Sequence, residues 1–334
     1  MWDIAKDPPE RQRWALHVRV QRLLNAPGLE DDGGGETRLD GELRLEAARA
    51  MLEQADAAHS PDIRLRFDLG IVDYALGEKQ GGRKDLFQKA IEILRPALDD
   101  APDHPGATEA LATLVYAYAK LDRPREELTT WHRYIPRLTD DRTRVVAMMN
   151  MGEAEMRLGQ VDEALGTFRD VLRLCGELPN SGGAGSTYVL TLWDLAVALD
   201  RSGSPQEALE SAAKASRMTV ISSSGMPTTG GTLIARDPAV FFVPDWEREW
   251  YLALRASAAA HDAKDARDAA VQWAQAEQHW TTYVDRASQA GGKETFLPIA
   301  RLRLERVRLQ RVAAEKRAAR LPREPAPGPL RVIE

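Results

Sequence analysis

The stretch that decides the fold runs from residue 145 to residue 177 and reads VVAMMNMGEAEMRLGQVDEALGTFRDVLRLCGE. Apolar residues recur at helical spacing on both sides of a Leu-Gly-Gln turn at 158–160, which predicts two helices. The small residues Gly152 and Ala164 would let the two helices approach closely, and Phe168 would fill the space between them. The stretch therefore predicts an antiparallel helix pair.

The same arrangement recurs, with helix pairs predicted to start near residues 63, 108, 145, 189 and 250. The order of a large residue, then Leu-Gly, then Ala-x3-Phe resembles the tetratricopeptide repeat family, although its period of about 34 residues is shorter than every interval here. The resemblance covers about residues 63–290, and a generic α-α solenoid is the alternative. It implies an all-α fold, an α-α superhelix with capping helices, and a non-catalytic scaffold for protein–protein interaction.

Four segments are expected on this basis. Residues 1–39 would form an N-terminal helix (10–24) and a Gly-rich loop, and residues 40–290 the repeat array, beginning with a helix at 41–58. An insertion at 220–244 interrupts the array with turn residues and an apolar run. Residues 291–321 would form a basic C-terminal capping helix, and residues 322–334 a Pro-rich tail that cannot be helical.

Composition narrows the class of protein. Apolar residues make up 43% and charged residues 29% of the 334, which is enough for a globular core, and a net charge of −6 argues against nucleic-acid binding. Cys175 is the one cysteine, so neither an intrachain disulfide nor a cysteine-based metal site is expected. No transmembrane stretch or signal peptide is apparent. We expect a cytoplasmic protein or, alternatively, an exported one whose leader is absent from this chain.

Signals for catalysis are weak. The six histidines show no H-E-x-x-H spacing, and the glycines at 33–35 and 81–82 lack the Gly-Lys-Ser/Thr of a phosphate-binding loop. The serines at 222–224 lack the glycine that precedes the serine of a nucleophile elbow. The sequence therefore predicts no catalytic residue, no metal site and no cofactor, and it predicts Cys175 to be a buried structural thiol.

The resemblance also implies a binding surface, because in tetratricopeptide arrays the first helix of each pair lines an inner groove. Ala112 and Tyr116 stand where a clamp for a carboxylate tail would need Lys and Asn, so an apolar segment of an unidentified protein or peptide is the expected ligand. Coverage of the groove by the chain's own insertions is the alternative, and the sequence leaves the oligomeric state open. The residues expected to bind the partner are Phe67, Tyr74, Tyr116, Met149, Met156 and Trp193, with Arg157 and Arg201 close by.

The last helix offers a second possible function. Helical spacing predicts an apolar stripe of Ile299, Leu302, Leu309 and Ala313 that closes the array, surrounded by arginines that face water. Alternatively, the chain would be a regulatory or chaperone-like subunit that docks through this helix on an acidic partner or an anionic surface. The 220–244 insertion would either plug the groove or contact a partner.

Overall fold

A computed structural model describes residues 8–25, 35–178, 184–237, 239–290 and 295–321, with the side chains of 35–40 and 184 left aside. The chain divides into two compact units, residues 1–160 and 161–334. In the described ranges the fold is α-helical apart from two three-residue strands and two 3-10 turns. The predicted all-α fold built from successive helix pairs is confirmed.

Unit 1 is built from seven described helices, and each of the helices α2 to α7 packs on the helix before it. The starts predicted near 63 and 108 coincide with α3 and α5. Two 3-10 turns, Ala57–His59 and Ile135–Arg137, follow α2 and α6. The helices are α1 (Pro9–Leu24), α2 (Gly35–Gln54), α3 (Ile63–Lys79), α4 (Lys84–Asp100), α5 (Ala107–Lys120), α6 (Pro124–Tyr134) and α7 (Asp141–Arg157).

Close packing of α3 against α4 depends on two glycines. A Cβ atom at Gly70 would lie 2.4 Å from Leu94 Cγ, and one at Gly77 would lie 2.6 Å from Phe87 Cε1. Real Cβ atoms do not approach other atoms so closely, so both positions need glycine in this packing. Leu94 and Phe87 are buried and belong to the apolar core that continues through α5 and α6 to Trp131.

Unit 2 continues with helices that mostly pack on their chain neighbours, and α10 contacts both α9 and α12. The two strands form an antiparallel pair in which Val220 faces Thr228. The elements are α8 (Val161–Glu177), α9 (Ala184–Arg201), α10 (Pro205–Arg217), β1 (Thr219–Ile221), β2 (Pro227–Thr229), α11 (Gly230–Arg236), α12 (Glu247–His261), α13 (Ala266–Gln289) and α14 (Leu297–Ala318).

The 220–244 insertion contacts the helices of unit 2 at several described positions. A Cβ atom at Gly230 would lie 2.2 Å from the carbonyl oxygen of Ala215, so the start of α11 sits directly on α10. Ser186 Oγ donates a hydrogen bond to the carbonyl oxygen of Ile221. In the apolar run of the insertion, Phe242 packs edge-on against Tyr251, whereas Phe241 is 45% exposed.

Other predictions have mixed outcomes. The apolar stripe predicted for α14 is wrong: Leu302 and Leu309 are 46% and 72% exposed, and the helix packs through Ala300, Leu304 and Val307 instead.

Both helices of the 145–177 stretch form, but they lie on either side of the unit boundary, so their pairing stays a prediction. The Pro-rich tail and all but Gly35 of the Gly-rich loop lie outside the described residues. Within the described ranges, no helix combines the length and apolarity needed to cross a membrane.

Candidate functional site

The first helices of unit 1 share a row of partly exposed residues, which we call the first-helix row: Ile71, Tyr74, Ala112, Tyr116 and Asn150. The Tyr74 ring packs on Phe87 with centroids 5.4 Å apart, and the Tyr116 ring meets Trp131 edge-on at 5.8 Å. Asn150 Nδ2 lies 3.4 Å from Tyr116 Oη, which connects α7 to α5. The row therefore crosses three helices on a rigid aromatic base.

The two tyrosines of this row stay neutral. Burial raises the pKa of both the Tyr74 and the Tyr116 hydroxyl; the Glu78 carboxylate adds to the rise at Tyr74, and the hydrogen bond from Asn150 opposes it at Tyr116. A neutral phenol both donates and accepts hydrogen bonds. The row thus combines aromatic area with a few polar atoms, as interface anchors do.

The residues predicted to bind a partner in unit 1 fall into two groups in the structure, partly exposed and buried. Tyr74 and Tyr116 lie on the first-helix row, but Phe67, Met149 and Met156 are buried. The Phe67 ring, for example, packs edge-on against His104 at 5.6 Å. Helical spacing placed these residues on the right helices but could not show which side of each helix the neighbouring helices cover.

Arg157, the predicted basic neighbour, is engaged inside unit 1. Its Nη2 donates to Oε2 of Glu127, whose side chain is buried, and its Nη1 lies 3.5 Å from Asp122 Oδ1. Glu127 also accepts a hydrogen bond from Trp131 Nε1. Burial raises the pKa of Glu127 despite the opposing effect of Arg157. A partner would have to break this pair to use Arg157.

Trp193, the predicted anchor in unit 2, is fully buried. Its Nε1 donates to the carbonyl oxygen of Gly230, 3.2 Å away, at the start of α11. Trp193 is therefore covered by the chain's own insertion, which is the alternative that the sequence left open. The indole has no exposed surface to offer a partner in this arrangement.

Arg201, the last predicted residue, belongs to a buried ion pair. Its Nη2 lies 2.5 Å from Glu247 Oε2, and Tyr283 Oη donates to Glu247 Oε1 at 3.1 Å. The guanidinium stacks between Trp250 and Phe296, with Cζ 4.4 and 4.1 Å from the ring centroids. With only 1% of its side chain exposed, Arg201 holds α9 against α12 and does not face a partner.

A second buried pair joins Asp200 to the last helix. Asp200 Oδ1 accepts from Arg303 Nε at 2.7 Å, and Asp200 Oδ2 accepts from Trp250 Nε1 at 3.1 Å. Burial raises the pKa of the Asp200 carboxyl, and the Arg303 charge opposes that rise. Sequence reasoning placed Arg303 among arginines that face water, although its spacing to Ala300 and Val307 put it on the packed face.

Two further buried titratable groups, Cys175 and Asp194, lie outside these ion pairs. Within the described ranges no group of three or more His, Cys, Asp or Glu side chains is placed to hold a metal ion. Cys175 is buried, and burial raises the pKa of its thiol, as expected of a structural cysteine. Asp194 is also buried; its Oδ1 accepts from Tyr251 Oη at 2.8 Å, and its Oδ2 has no partner among the described residues.

No protein-family model and no curated protein sequence matches the chain. Among solved structures, it is similar to MamA from AMB-1 (21% identity, 56% of this chain and 92% of that chain, TM-score 0.41). It is also similar to the apo quorum sensor NprR from B. thuringiensis (13% identity, 94% of this chain and 78% of that chain, TM-score 0.45). A third similar structure is the STAND protein with a tetratricopeptide repeat sensor from Pyrococcus horikoshii (12% identity, 93% of this chain and 49% of that chain, TM-score 0.47). The likeness to these structures is one of helical fold.

Proposed function

We propose that the chain is a non-catalytic protein-interaction scaffold and that the first-helix row binds an extended, mainly apolar segment of a partner protein. The observation that carries this proposal is the row itself. Tyr74 and Tyr116 project from successive first helices, remain partly exposed and rest on buried aromatic rings. Rigid aromatic anchors of this kind dominate the energy of protein interfaces.

The dimensions of the row favour an extended segment. Helix α3 packs on α5, and the Asn150–Tyr116 hydrogen bond joins α5 to α7. With about 8–10 Å between packed helices, the row would span at least about 16–20 Å. An extended chain covers that length with about five or six residues, at about 3.3 Å each. Side chains on one face of such a segment would reach Tyr74 and Tyr116 in turn.

The chemistry of the row favours apolar side chains in the partner. The row contains no Lys or Arg, and Arg157 is held by Glu127. A site without a free cation has nothing to neutralise a carboxylate, so an acidic tail would lose its hydration without compensation. Asn150 and the two tyrosine hydroxyls remain to hydrogen-bond the backbone of the segment.

The test is selection of binders for the full chain from a random peptide library, followed by measurement of the dissociation constant for the best peptide. Tyr116→Ala and, separately, Tyr74→Ala should each weaken binding by about 2 kcal/mol or more, which is about thirtyfold. Tyr188→Ala is the matched control, since Tyr188 is also half-buried but lies on α9 of unit 2. Circular dichroism should show the same helix content in all variants.

A second candidate function has its own supporting observation. On α14, Leu302, Leu309 and Val312 are exposed, and the basic residues Arg306, Lys316 and Arg317 are exposed as well. A basic amphipathic face of this kind suits an acidic partner or an anionic surface. Binding through it should weaken steeply with salt, whereas binding through the tyrosines should change little. If charge reversal at Arg306 and Arg317 abolishes binding while both tyrosine variants bind normally, the first-helix row is not the site.

A further inference from the structure

A pocket of about 230 Å³ opens in unit 2 between the end of α9 and helices α10, α12, α13 and α14. Leu254, Trp273, Trp280 and Val307 form its apolar wall. The pocket is smaller than the roughly 300–1,000 Å³ typical of sites for drug-sized molecules. Its volume and lining therefore suit a compact ligand with an apolar body.

The charges at this pocket do not cancel. Among the residues that line it, Asp200 is the acid and Arg303 and Arg306 are the two arginines, while the His261 ring packs edge-on against Trp273 at 5.1 Å. Both oxygens of the Asp200 carboxylate are already engaged, one by Arg303 Nε and one by Trp250 Nε1. Arg303 therefore neutralises Asp200, and the pocket keeps one positive charge, that of Arg306.

Arg306 is placed to meet a ligand. It lies three residues after Arg303 on α14, lines the pocket and is exposed. Within the described part of the chain its guanidinium has no hydrogen-bond or ion-pair partner. By contrast, Arg308 and Arg311 on the same helix pair with Glu277 of α13. Arg306 is thus the basic residue of this pocket whose charge the fold leaves uncompensated.

We propose that this pocket binds a small organic carboxylate, with its apolar body against Trp273 and the partly exposed Leu209 and its carboxylate on Arg306. The planar guanidinium donates two parallel hydrogen bonds to a carboxylate, which gives the site orientation as well as charge. Ser257 and Gln310 at the same wall add uncharged hydrogen-bonding groups. The carboxylate can belong to a free acid or to the last residue of a peptide chain.

The proposal is tested by calorimetric titration of the full chain with 3-phenylpropionate and with its neutral amide, 3-phenylpropanamide. We expect the acid to bind at least about tenfold more tightly. Arg306→Gln should remove that difference, because a hydrogen bond to a charged group is worth at least the roughly 1.4 kcal/mol that one decade represents. Arg301→Gln is the matched control: it removes an exposed arginine of α14 that does not line the pocket, and it should change neither affinity.

The position of the ligand is checked by the indole N–H resonances of Trp273 and Trp280, which should shift on addition of the acid. Trp273→Phe assigns one of the two signals. The tripeptide Gly-Gly-Phe with a free carboxylate separates the two sources: tighter binding than the free acid identifies a chain terminus, and equal or weaker binding identifies a free acid. Equal affinities for acid and amide, equal losses in the two arginine variants, or no binding at millimolar acid would each overturn the proposal.

Discussion

The α3–α4 pair of unit 1 and the α9–α12–α14 cluster of unit 2 are stabilised by different means. In the α3–α4 pair, Gly70 and Gly77 let Leu94 and Phe87 pack against the opposite helix. In the α9–α12–α14 cluster, buried ion pairs join the helices: Arg201 with Glu247, and Asp200 with Arg303. The α3–α4 pair depends on glycines, which have no side chain, and the α9–α12–α14 cluster depends on charged side chains that each need a partner.

The comparison shows that two first helices each end on an arginine that the fold holds in an ion pair. Arg157 ends α7 and Arg201 ends α9, and each pairs with a glutamate of a neighbouring helix, Glu127 and Glu247 respectively. A basic residue is also favourable at a helix C-terminus because of the helix dipole. Arginines that suggested a binding groove in the sequence are therefore part of how each unit holds its helices together.

The largest expected effect comes from breaking a buried pair on one side. Arg201→Leu should lower the free energy of unfolding by about 3–5 kcal/mol, because Glu247 would remain buried without its counter-charge. The double variant Arg201→Leu/Glu247→Leu should be less destabilised than the single one. Urea unfolding of both variants measures this. The single variant Glu247→Leu completes the cycle; a double variant that loses the full sum of the two single effects would show that the two residues are not coupled, and the loss in Arg201→Leu would then not come from an unpaired Glu247.

The next effect concerns the buried acid of α9. Burial raises the pKa of Asp194 to about 7, so the folded chain keeps a proton that the unfolded chain releases near pH 4. The stability due to this residue should therefore be highest below pH 4, fall as the pH rises from about 4 to about 7, and then level off.

Comparison with Asp194→Asn isolates this residue from other titrating groups. The difference in unfolding free energy between wild type and variant should change by up to about 4 kcal/mol across that range, since a tenfold change in proton affinity is worth about 1.4 kcal/mol. Urea unfolding at several pH values provides the data. A difference that stays constant from pH 4 to pH 8 would contradict the assigned titration.

A smaller effect is expected from the apolar pair. Gly77→Ala adds a methyl group 2.6 Å from the Phe87 ring, so the two helices would have to separate, at a cost of about 1–3 kcal/mol. Gly166→Ala in α8 is the control, because a Cβ there meets no atom within 4 Å and alanine favours helix. Thermal melts should show a decrease for Gly77→Ala and none for Gly166→Ala.

The α3–α4 pair and the α9–α12–α14 cluster show which features of the fold can be predicted from the sequence. Helix starts near 63 and 108 coincide with α3 and α5, because small and large apolar residues at helical spacing identify a packed helix locally. The partners of buried charges cannot be read in this way. Asp200 and Arg303 are 103 residues apart, and no local pattern connects them.

The candidate site shows the same limit. Tyr74 and Tyr116 were placed on the correct helices and are partly exposed, but Trp193 is covered by the start of α11. The sequence marked 220–244 as an insertion because of its turn residues, yet its resting place depends on a close backbone approach between Gly230 and Ala215. A glycine at such a contact looks the same in the sequence as a glycine in a flexible loop.

The smallest expected effect is at an exposed pair that resembles the buried ones in geometry. Arg217 Nη1 lies 2.5 Å from Asp262 Oδ2, the same separation as in the Arg201–Glu247 pair, but both side chains are more than half exposed. Water solvates each charge whether or not the pair forms, so Arg217→Ala should change the free energy of unfolding by less than about 1 kcal/mol. Urea unfolding at low and at 1 M salt tests this, since salt should erase whatever the exposed pair contributes and leave the loss in Arg201→Leu nearly unchanged. If Arg217→Ala costs as much as Arg201→Leu, burial is not what separates the two pairs, and the ionic cluster of unit 2 would have to extend to its surface.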